Sequence, residues 1–405
     1  MTADLEALKL VERAWVYKKD RLAGLLVRRT DAVEFTYLPE YLDEGGPAVA
    51  STLPLSPTAV ATAAGALPPF FSGLLPEGRR LTALRTAVKT SPDDELSLLL
   101  AVGGDTVGDV RVLPEGAKPD ELEPLVRVSE WSEASFAELF AAATGTSEID
   151  RVAIPGVQEK VSAAMMTVPV AGKSDRFILK LDPPEYPHLV ENEAFMVSAA
   201  HRSGLKTVDA QLVTDREGRN GLLVRRFDRT GDGRLLGVED GCQALNRYPA
   251  AKYAVTTEQV CRALSAITDA PVVTSRELLR WVTFAYLSCD GDLHAKNLAV
   301  GERTDGSWQV TPVYDIPASY PYGDYTMALS INGKRREDIA RRDVLALGGA
   351  LDVPPRATAK AIDDILARLD LWLPEVSELP FPVGVRRKWR KAIQYRARQL
   401  AAGVG

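Results

Sequence analysis

Three cysteines and three histidines are few for a chain of 405 residues. Cys242, Cys261 and Cys289 lie far apart without metal-ligand spacing, and His188, His201 and His294 add no cluster, so no structural zinc site is expected. The same scarcity argues against a disulfide-stapled domain and for reduced thiols. Long apolar runs are missing too. Ser51 to Leu75 is uncharged, but Pro54, Pro57, Pro68, Pro69, Gly65 and Gly73 interrupt it, which reads as a buried or loop-rich stretch and not a spanning helix. Met1 to Leu10 mixes acidic and basic residues and shows no apolar signal segment. These absences predict a soluble, cytoplasmic protein with no membrane partner. A net charge of -6 argues weakly against the whole molecule being a nucleic-acid binder, although it allows a local basic patch.

At this length roughly two to three domains are expected. The most informative stretch is Cys289-Asp290-Gly291-Asp292-Leu293-His294-Ala295-Lys296-Asn297. Its D-x-x-x-x-N spacing is the core of a kinase catalytic loop. There the Asp (Asp292) accepts the proton of the acceptor hydroxyl, and the Asn oxygen (Asn297) ligates magnesium. Thr274-Ser275-Arg276-Glu277 reads as a capping box opening an apolar helix that delivers this loop. Downstream, Leu298 to Val300 and Trp308 to Val310 flank a turn from Gly301 to Gly306. A hairpin there returns the chain to Tyr314-Asp315, so that Asn297 and Asp315 can share a metal. A lone D-x-x-x-x-N is common in solvated turns. The helix before it and the hairpin after it favour the functional reading.

From Ala14 to Tyr37 three short strands predict a small β-rich unit. Arg79 to Val88 reads as a helix, Ser91-Pro92-Asp93-Asp94 as the start of another with Pro in its first turn, and Val107 to Leu113 as a strand. Pro114 to Pro124 reads as a connection. Ser132 to Ala143 is predicted helical, and Gly156-Val157-Gln158-Glu159-Lys160 is a turn entering a strand. With one glycine, that turn is a weak phosphate-binding loop on its own. Phe177-Ile178-Leu179-Lys180 is a strand closed by a lysine, of the kind a kinase needs to hold nucleotide phosphates. Glu191-Asn192-Glu193 opens a helix, and either glutamate is a candidate partner for Lys180. Leu222 to Arg229 is a strand running into a linker where adenine would lie, with Phe227 beside it. Taken alone, a phenylalanine there is more often core. Strand, strand, helix and strand, followed by helices and the catalytic loop, is the order of a two-lobed kinase.

The chain resembles the HipA family of serine/threonine kinases, the toxins of bacterial HipBA-type modules. The resemblance is carried by Pro69-Phe70-Phe71, Leu74-Leu75-Pro76-Glu77-Gly78, Ser91 to Asp94, Gly156 to Lys160 and Glu191-Asn192-Glu193. It continues through Arg226-Phe227-Asp228-Arg229, Asp292 with His294 to Asn297, Tyr314-Asp315, and Met327 to Lys334. The fold it implies is α+β: a two-lobed protein-kinase-like core with a small β-rich N-terminal subdomain and a largely helical C-terminal lobe. The segments expected are 1–125 for the N-terminal subdomain, 126–230 for the nucleotide-binding lobe and 231–405 for the helical lobe.

By the same resemblance Asp292 is the catalytic base, Asn297 and Asp315 are the magnesium ligands and Lys180 is the phosphate lysine. Gly156, Val157, Gln158, Glu159 and Lys160 cover the nucleotide, Phe227 contributes to the adenine pocket, and Lys296 reaches the transferred phosphate. The implied cofactors are ATP and Mg2+. The implied acceptor is a serine or threonine on a protein, with aminoacyl-tRNA synthetases the known targets in the family. The implied partner is a helix-turn-helix antitoxin of HipB type, with operator DNA met through that complex.

Two departures stand out. Relatives commonly carry an autophosphorylated serine just before the nucleotide loop, where this chain has Ala153, and an acidic residue where it has Arg225. The C-terminal run Arg386-Arg387-Lys388-Trp389-Arg390-Lys391 through Arg398 has no acidic residue and reads as a solvated helix face, with a contact to phosphates as the minority reading. Against an active kinase toxin stand two other functions. One is a kinase-fold co-repressor with little turnover, which has no chemical need for Asp292, Asn297, Asp315 and Lys180 together. The other is a small-molecule phosphotransferase, to which the N-terminal match does not belong.

Overall fold

The computed structural model describes residues 5–63, 65–119, 130–139, 165–171 and 176–402. The first unit is a five-stranded antiparallel sheet in the order β4-β3-β2-β1-β5. Its strands are β1 (Arg13–Lys18), β2 (Arg21–Arg28), β3 (Ala32–Tyr37), β4 (Val60–Ala63) and β5 (Val110–Pro114). In β3 the alternation is strict: Val33, Phe35 and Tyr37 are buried, with Ala32, Glu34 and Thr36 between them more exposed. That period of two turns one face onto helices. The helices of this unit are α1 (Pro39–Asp43), α2 (Pro69–Gly73), α3 (Gly78–Val88) and α4 (Glu95–Val102). Leu26, Phe35, Leu67, Phe71 and Leu96 form the core between the layers.

The uncharged run from Ser51 to Leu75 is spread over bends, the edge strand β4 and α2, as its prolines require. No helix among the described residues is long and apolar enough to cross a membrane. The Pro92 reading is corrected: α4 begins at Glu95, its N-cap is Asp94, and the Asp94 carboxylate accepts from Ser97 N. Pro92 sits in the turn before the helix, because an aspartate at the N-cap satisfies an orphan donor that proline cannot.

A four-stranded antiparallel sheet follows, in the order β6-β7-β9-β8, from β6 (Met166–Ala171), β7 (Arg176–Leu181), β8 (Ala210–Thr214) and β9 (Asn220–Arg225). Helix α5 (Leu189–Arg202) packs beside it. Phe136, Val168, Leu179 and Leu223 fill the sheet's other side. Of the helix expected from Ser132 to Ala143, Trp131–Glu133 is a 3-10 turn and the α-helix is present from Phe136 to Leu139. The remainder lies outside the described residues, as do Ala153 and the loop from Gly156 to Lys160.

The C-terminal part is largely helical around a small sheet of β10 (Val238–Asp240), β11 (Ala299–Glu302) and β12 (Trp308–Val310). Its helices are α6 (Gly241–Ala244), α7 (Thr257–Ile267), α8 (Pro271–Ser288), α9 (Arg341–Ala350), α10 (Pro355–Leu366) and α11 (Val383–Ala401). Helix α8 is the axis: from Leu278 to Ser288 every residue except Arg280 is buried. A helix buried on all sides must lie inside its lobe, and α7, α9, α10 and α11 all contact it.

The capping-box reading for α8 is corrected. The helix starts at Pro271, whose fixed φ and missing N–H suit a first turn. Thr274 and Ser275 lie one turn inside, with hydroxyls 2.8 Å from Thr268 Oγ1 and 2.9 Å from Ser265 Oγ, tying α8 to α7. In α11, Trp389, Ile393, Arg396 and Leu400 form the buried face. Arg396 belongs to the interior and donates to the carbonyls of Tyr286 and Tyr325. All three cysteines are buried and free, and burial raises the thiol of Cys242 to about 12 and that of Cys289 to about 11.

Candidate active site

Helix α8 ends at Cys289, which adopts a left-handed φ of 69° and turns the chain sharply into the loop. The loop then holds itself. Asp292 N donates to Asp290 Oδ1 (3.0 Å), His294 N to the Asp292 carbonyl (2.7 Å), and Asn297 N to the His294 carbonyl (3.0 Å). Gly291 N donates to Ser319 Oγ at 2.9 Å. A Cβ on Gly291 would come within 2.4 Å of that oxygen and 2.5 Å of the Thr326 carbonyl, so close packing accounts for this glycine. Asp292 is 1 % exposed, and Tyr253 donates its hydroxyl to Asp292 Oδ1 at 3.0 Å. Burial, with the Asp292 charge beside it, pushes the Tyr253 phenol well up and keeps it a donor.

The hairpin of β11 and β12 pairs Val300 with Val310 and Glu302 with Trp308, and the chain returns to Asp315 as its spacing predicts. Asp315 has φ 52°, a left-handed conformation that costs a non-glycine residue energy and recurs at functional sites. The Asn297 amide nitrogen donates to the carbonyls of Asp292 (3.2 Å) and Asp315 (3.4 Å), which leaves its oxygen for a cation. Lys180, at the inner end of β7, meets both oxygens of Glu193 at 2.7 and 2.9 Å and Asp315 Oδ1 at 2.8 Å.

Of the two candidate glutamates, Glu193 is the partner. Glu191 faces Asn220 at 3.0 Å and His188 at 3.8 Å. Asn192 between them exchanges two hydrogen bonds with the main chain of Ala318, clamping α5 to the segment after Asp315. Burial would drive the Lys180 ammonium to lose its proton, but the carboxylates of Asp315 and Glu193 outweigh it and hold the pKa up. Burial pushes Glu193 up more than Lys180 pulls it down. With both Glu193 oxygens within 2.9 Å of the ammonium, the ion-paired form is the one the geometry supports.

Phe227 is partly buried, with its ring 5.6 Å from that of Tyr314. The residues around it act as a clamp. Arg226 and Arg229 both pair with Asp105 and Asp228, and Gly108 N donates to Asp228 Oδ2 at 2.9 Å, so the linker after β9 is fastened to the first unit. Arg225 is exposed at the end of β9. Lys296 stands in a different group from the other loop residues: its ammonium donates to the Gly73 carbonyl at 2.9 Å and lies 3.7 Å from Asp240. The structure thus brings together Asp292, Asn297, Asp315 and Lys180, sets Phe227 beside Tyr314, and turns Lys296 toward the first unit. Sequence reasoning missed Tyr253 and Asp240, which no spacing rule singles out.

No cluster of three or more His, Cys, Asp or Glu that could hold a metal occurs among the described residues. A magnesium ion on a nucleotide does not require one, since one or two protein oxygens plus phosphates and water complete its shell. The donors at hand, the Asp315 carboxylate and the Asn297 carbonyl oxygen, fit that requirement, and Lys180 could supply a cation for phosphates.

Residues 152–372 match the family model described as the HipA-like C-terminal domain, and residues 14–113 match the HipA N-terminal domain. Y4mE of Sinorhizobium fredii is 28% identical over 352 residues, covering 81% of this chain and 82% of its own. The serine/threonine-protein kinase toxin HipA of Shewanella oneidensis is 27% identical over 316 residues, with 69% of this chain and 70% of that protein covered. Among solved structures, the chain is similar to HipA from the complex of Shewanella oneidensis MR-1 HipA, HipB and operator DNA, with a TM-score of 0.78, 21% identity, and 96% and 97% of the two chains covered. That likeness is one of fold: α+β, with a kinase-like core.

Proposed function

The chain belongs to the HipA family, and from that premise we propose that it is an ATP- and Mg2+-dependent serine/threonine protein kinase that arrests growth as a toxin. The observation that carries the reading is the Lys180 ammonium set between Glu193 and Asp315 at 2.7 to 2.9 Å, with Asn297 bonded to the main chain of both Asp292 and Asp315. A lysine, two oxygens able to bind a metal and a base, brought together from a strand, the loop after α8 and the segment after a hairpin, are what in-line phosphoryl transfer needs.

In that reaction Asp292 accepts the proton of an acceptor serine or threonine as its hydroxyl oxygen bonds to the γ-phosphorus. The bond from that phosphorus to the β,γ-bridging oxygen breaks, and ADP leaves. Lys180 exchanges its contact with Asp315 for nucleotide phosphate oxygens, while Glu193 continues to orient it. Magnesium, held by Asp315 and Asn297, would neutralise charge developing on the phosphates. Phe227 and the loop from Gly156 to Lys160 would enclose the nucleotide, and Lys296, through its contact with Gly73, would position the loop against the first unit.

The acceptor class is a protein, with an aminoacyl-tRNA synthetase as the specific proposal, and the binding partner a helix-turn-helix antitoxin of HipB type that brings operator DNA. Purified protein is incubated with labelled ATP, magnesium and a cell lysate, with Asp292→Asn as control. Label on serine or threonine of one protein, absent with the variant, supports the reading and identifies the acceptor. Equal labelling by Asp292→Asn would sink it. Nucleotide binding without label would favour a co-repressor.

A further inference from the structure

We propose that Tyr253 is a positioning residue for the catalytic base, and that the Lys252–Glu77 ion pair ties its placement to the N-terminal unit. This rests on the kinase reading of Asp292. The dipeptide Lys252-Tyr253 lies between α6 and α7, outside the catalytic loop, and touches that loop at three places. Tyr253 donates its hydroxyl to Asp292 Oδ1 at 3.0 Å. Its ring meets the His294 ring edge-on, with centroids 5.2 Å apart. The Lys252 carbonyl accepts from Ala295 N at 3.1 Å.

The same dipeptide is anchored from two sides. Lys252 Nζ pairs with Glu77 of the first unit at 3.0 Å and lies 5.3 Å from the centroid of the Tyr253 ring. Arg335, from the segment beyond Asp315, donates to the Tyr253 carbonyl at 3.2 Å. The Tyr253 hydroxyl therefore fixes one Asp292 oxygen and, with it, the orientation of the carboxylate. A base whose rotamer is fixed before the acceptor arrives needs no reorganisation during transfer. Tyr253→Phe removes that bond while keeping the ring contact with His294.

Phosphoryl transfer from Mg-ATP to a degenerate mixture of serine- and threonine-containing peptides is measured for the parent, Tyr253→Phe, Asp292→Asn and the surface control Tyr395→Phe. Nucleotide affinity is measured in parallel by ADP titration. For Tyr253→Phe the expected result is a fall of about 10- to 100-fold in rate at saturating ATP, as for other residues that orient a functional group. Its ADP affinity and melting temperature stay within two-fold and 2 °C, roughly the scatter of a neutral substitution, and Tyr395→Phe matches the parent. A Tyr253→Phe rate within about two-fold of the parent overturns the proposal, as does a loss of rate matched by lost nucleotide affinity. An inactive parent, or a parent and Asp292→Asn of equal activity, overturns the kinase reading and this proposal with it. Should Tyr253→Phe fail to fold, Glu77→Gln decides: a lower rate at saturating ATP with unchanged ADP affinity supports the coupling, and an unchanged rate rejects it.

Discussion

Lys180 and Asp315, 135 residues apart, meet at 2.8 Å. One closes a strand of the four-stranded sheet and the other follows the β11–β12 hairpin, so this contact joins the two halves of the site. Glu193 holds the other side of the ammonium and is wholly buried. On the proposed kinase function, nucleotide phosphates would compete with Asp315 for Lys180, whereas Glu193 would stay in place.

Lys180→Met removes the cation from two carboxylates in a buried site. Breaking a buried ion pair from one side costs roughly 3–5 kcal/mol. A fall of that size in unfolding free energy is expected from urea titration, with loss of transfer activity. Glu193→Gln, which can still accept a hydrogen bond from Lys180, should cost less.

Asp292→Asn should leave the fold intact and lower phosphoryl transfer on the order of a thousand-fold, roughly 4 kcal/mol of transition-state stabilisation. Single-turnover kinetics with labelled ATP and an unchanged melting temperature would check both halves of that expectation.

Gly291→Ala should disturb the catalytic loop, because the new methyl would stand 2.4 Å from Ser319 Oγ and 2.5 Å from the Thr326 carbonyl. A penalty of about 1–3 kcal/mol follows from forcing a methyl into a packed site. Activity should fall with it. A variant as stable and as active as the parent would show that the loop yields without consequence.

Acid should loosen the clamp after β9. Burial alone would raise the Asp228 carboxyl, but Arg226 and Arg229 outweigh it and lower it from 3.8 to about 2. The folded protein therefore binds this proton less tightly than the unfolded chain does. The stabilisation is full above about pH 4 and is lost as the pH falls through about 2. The interval from 3.8 to about 2 corresponds to roughly 2 kcal/mol. Urea unfolding at pH 5 and pH 2.5 should show a smaller difference for Asp228→Asn than for the parent.

The strands of the first sheet were legible because β3 alternates buried and exposed residues along its length, and the β11–β12 hairpin because two apolar runs flank a glycine-bounded turn. Helix starts were less so. A capping-box pattern at Thr274 to Glu277 and a proline at 92 both look like N-termini, yet the helices begin at Pro271 and, behind the N-cap Asp94, at Glu95. Local patterns compete, and burial of the Thr274 and Ser275 hydroxyls against α7 decides between them. The role of Arg226-Phe227-Asp228-Arg229 was legible only in part. The adenine reading of Phe227 drew on its place after a strand, but the salt-bridge partner Asp105 lies 121 residues away.

The sequence by itself determined which residue types the candidate site contains: an aspartate and an asparagine at fixed spacing on one loop, a lysine closing a strand, and an aspartate after a hairpin. Those are local facts, set by turn geometry and strand period. Only the tertiary structure decided which residues meet. It chose Glu193 over Glu191 because the lysine at the end of β7 meets that residue of α5. It turned Lys296 from the other loop residues toward Gly73, and it brought Tyr253 onto Asp292 from outside the loop. Such pairings depend on how buried elements pack, and hydrogen bonds between residues distant in sequence leave no spacing by which they can be read.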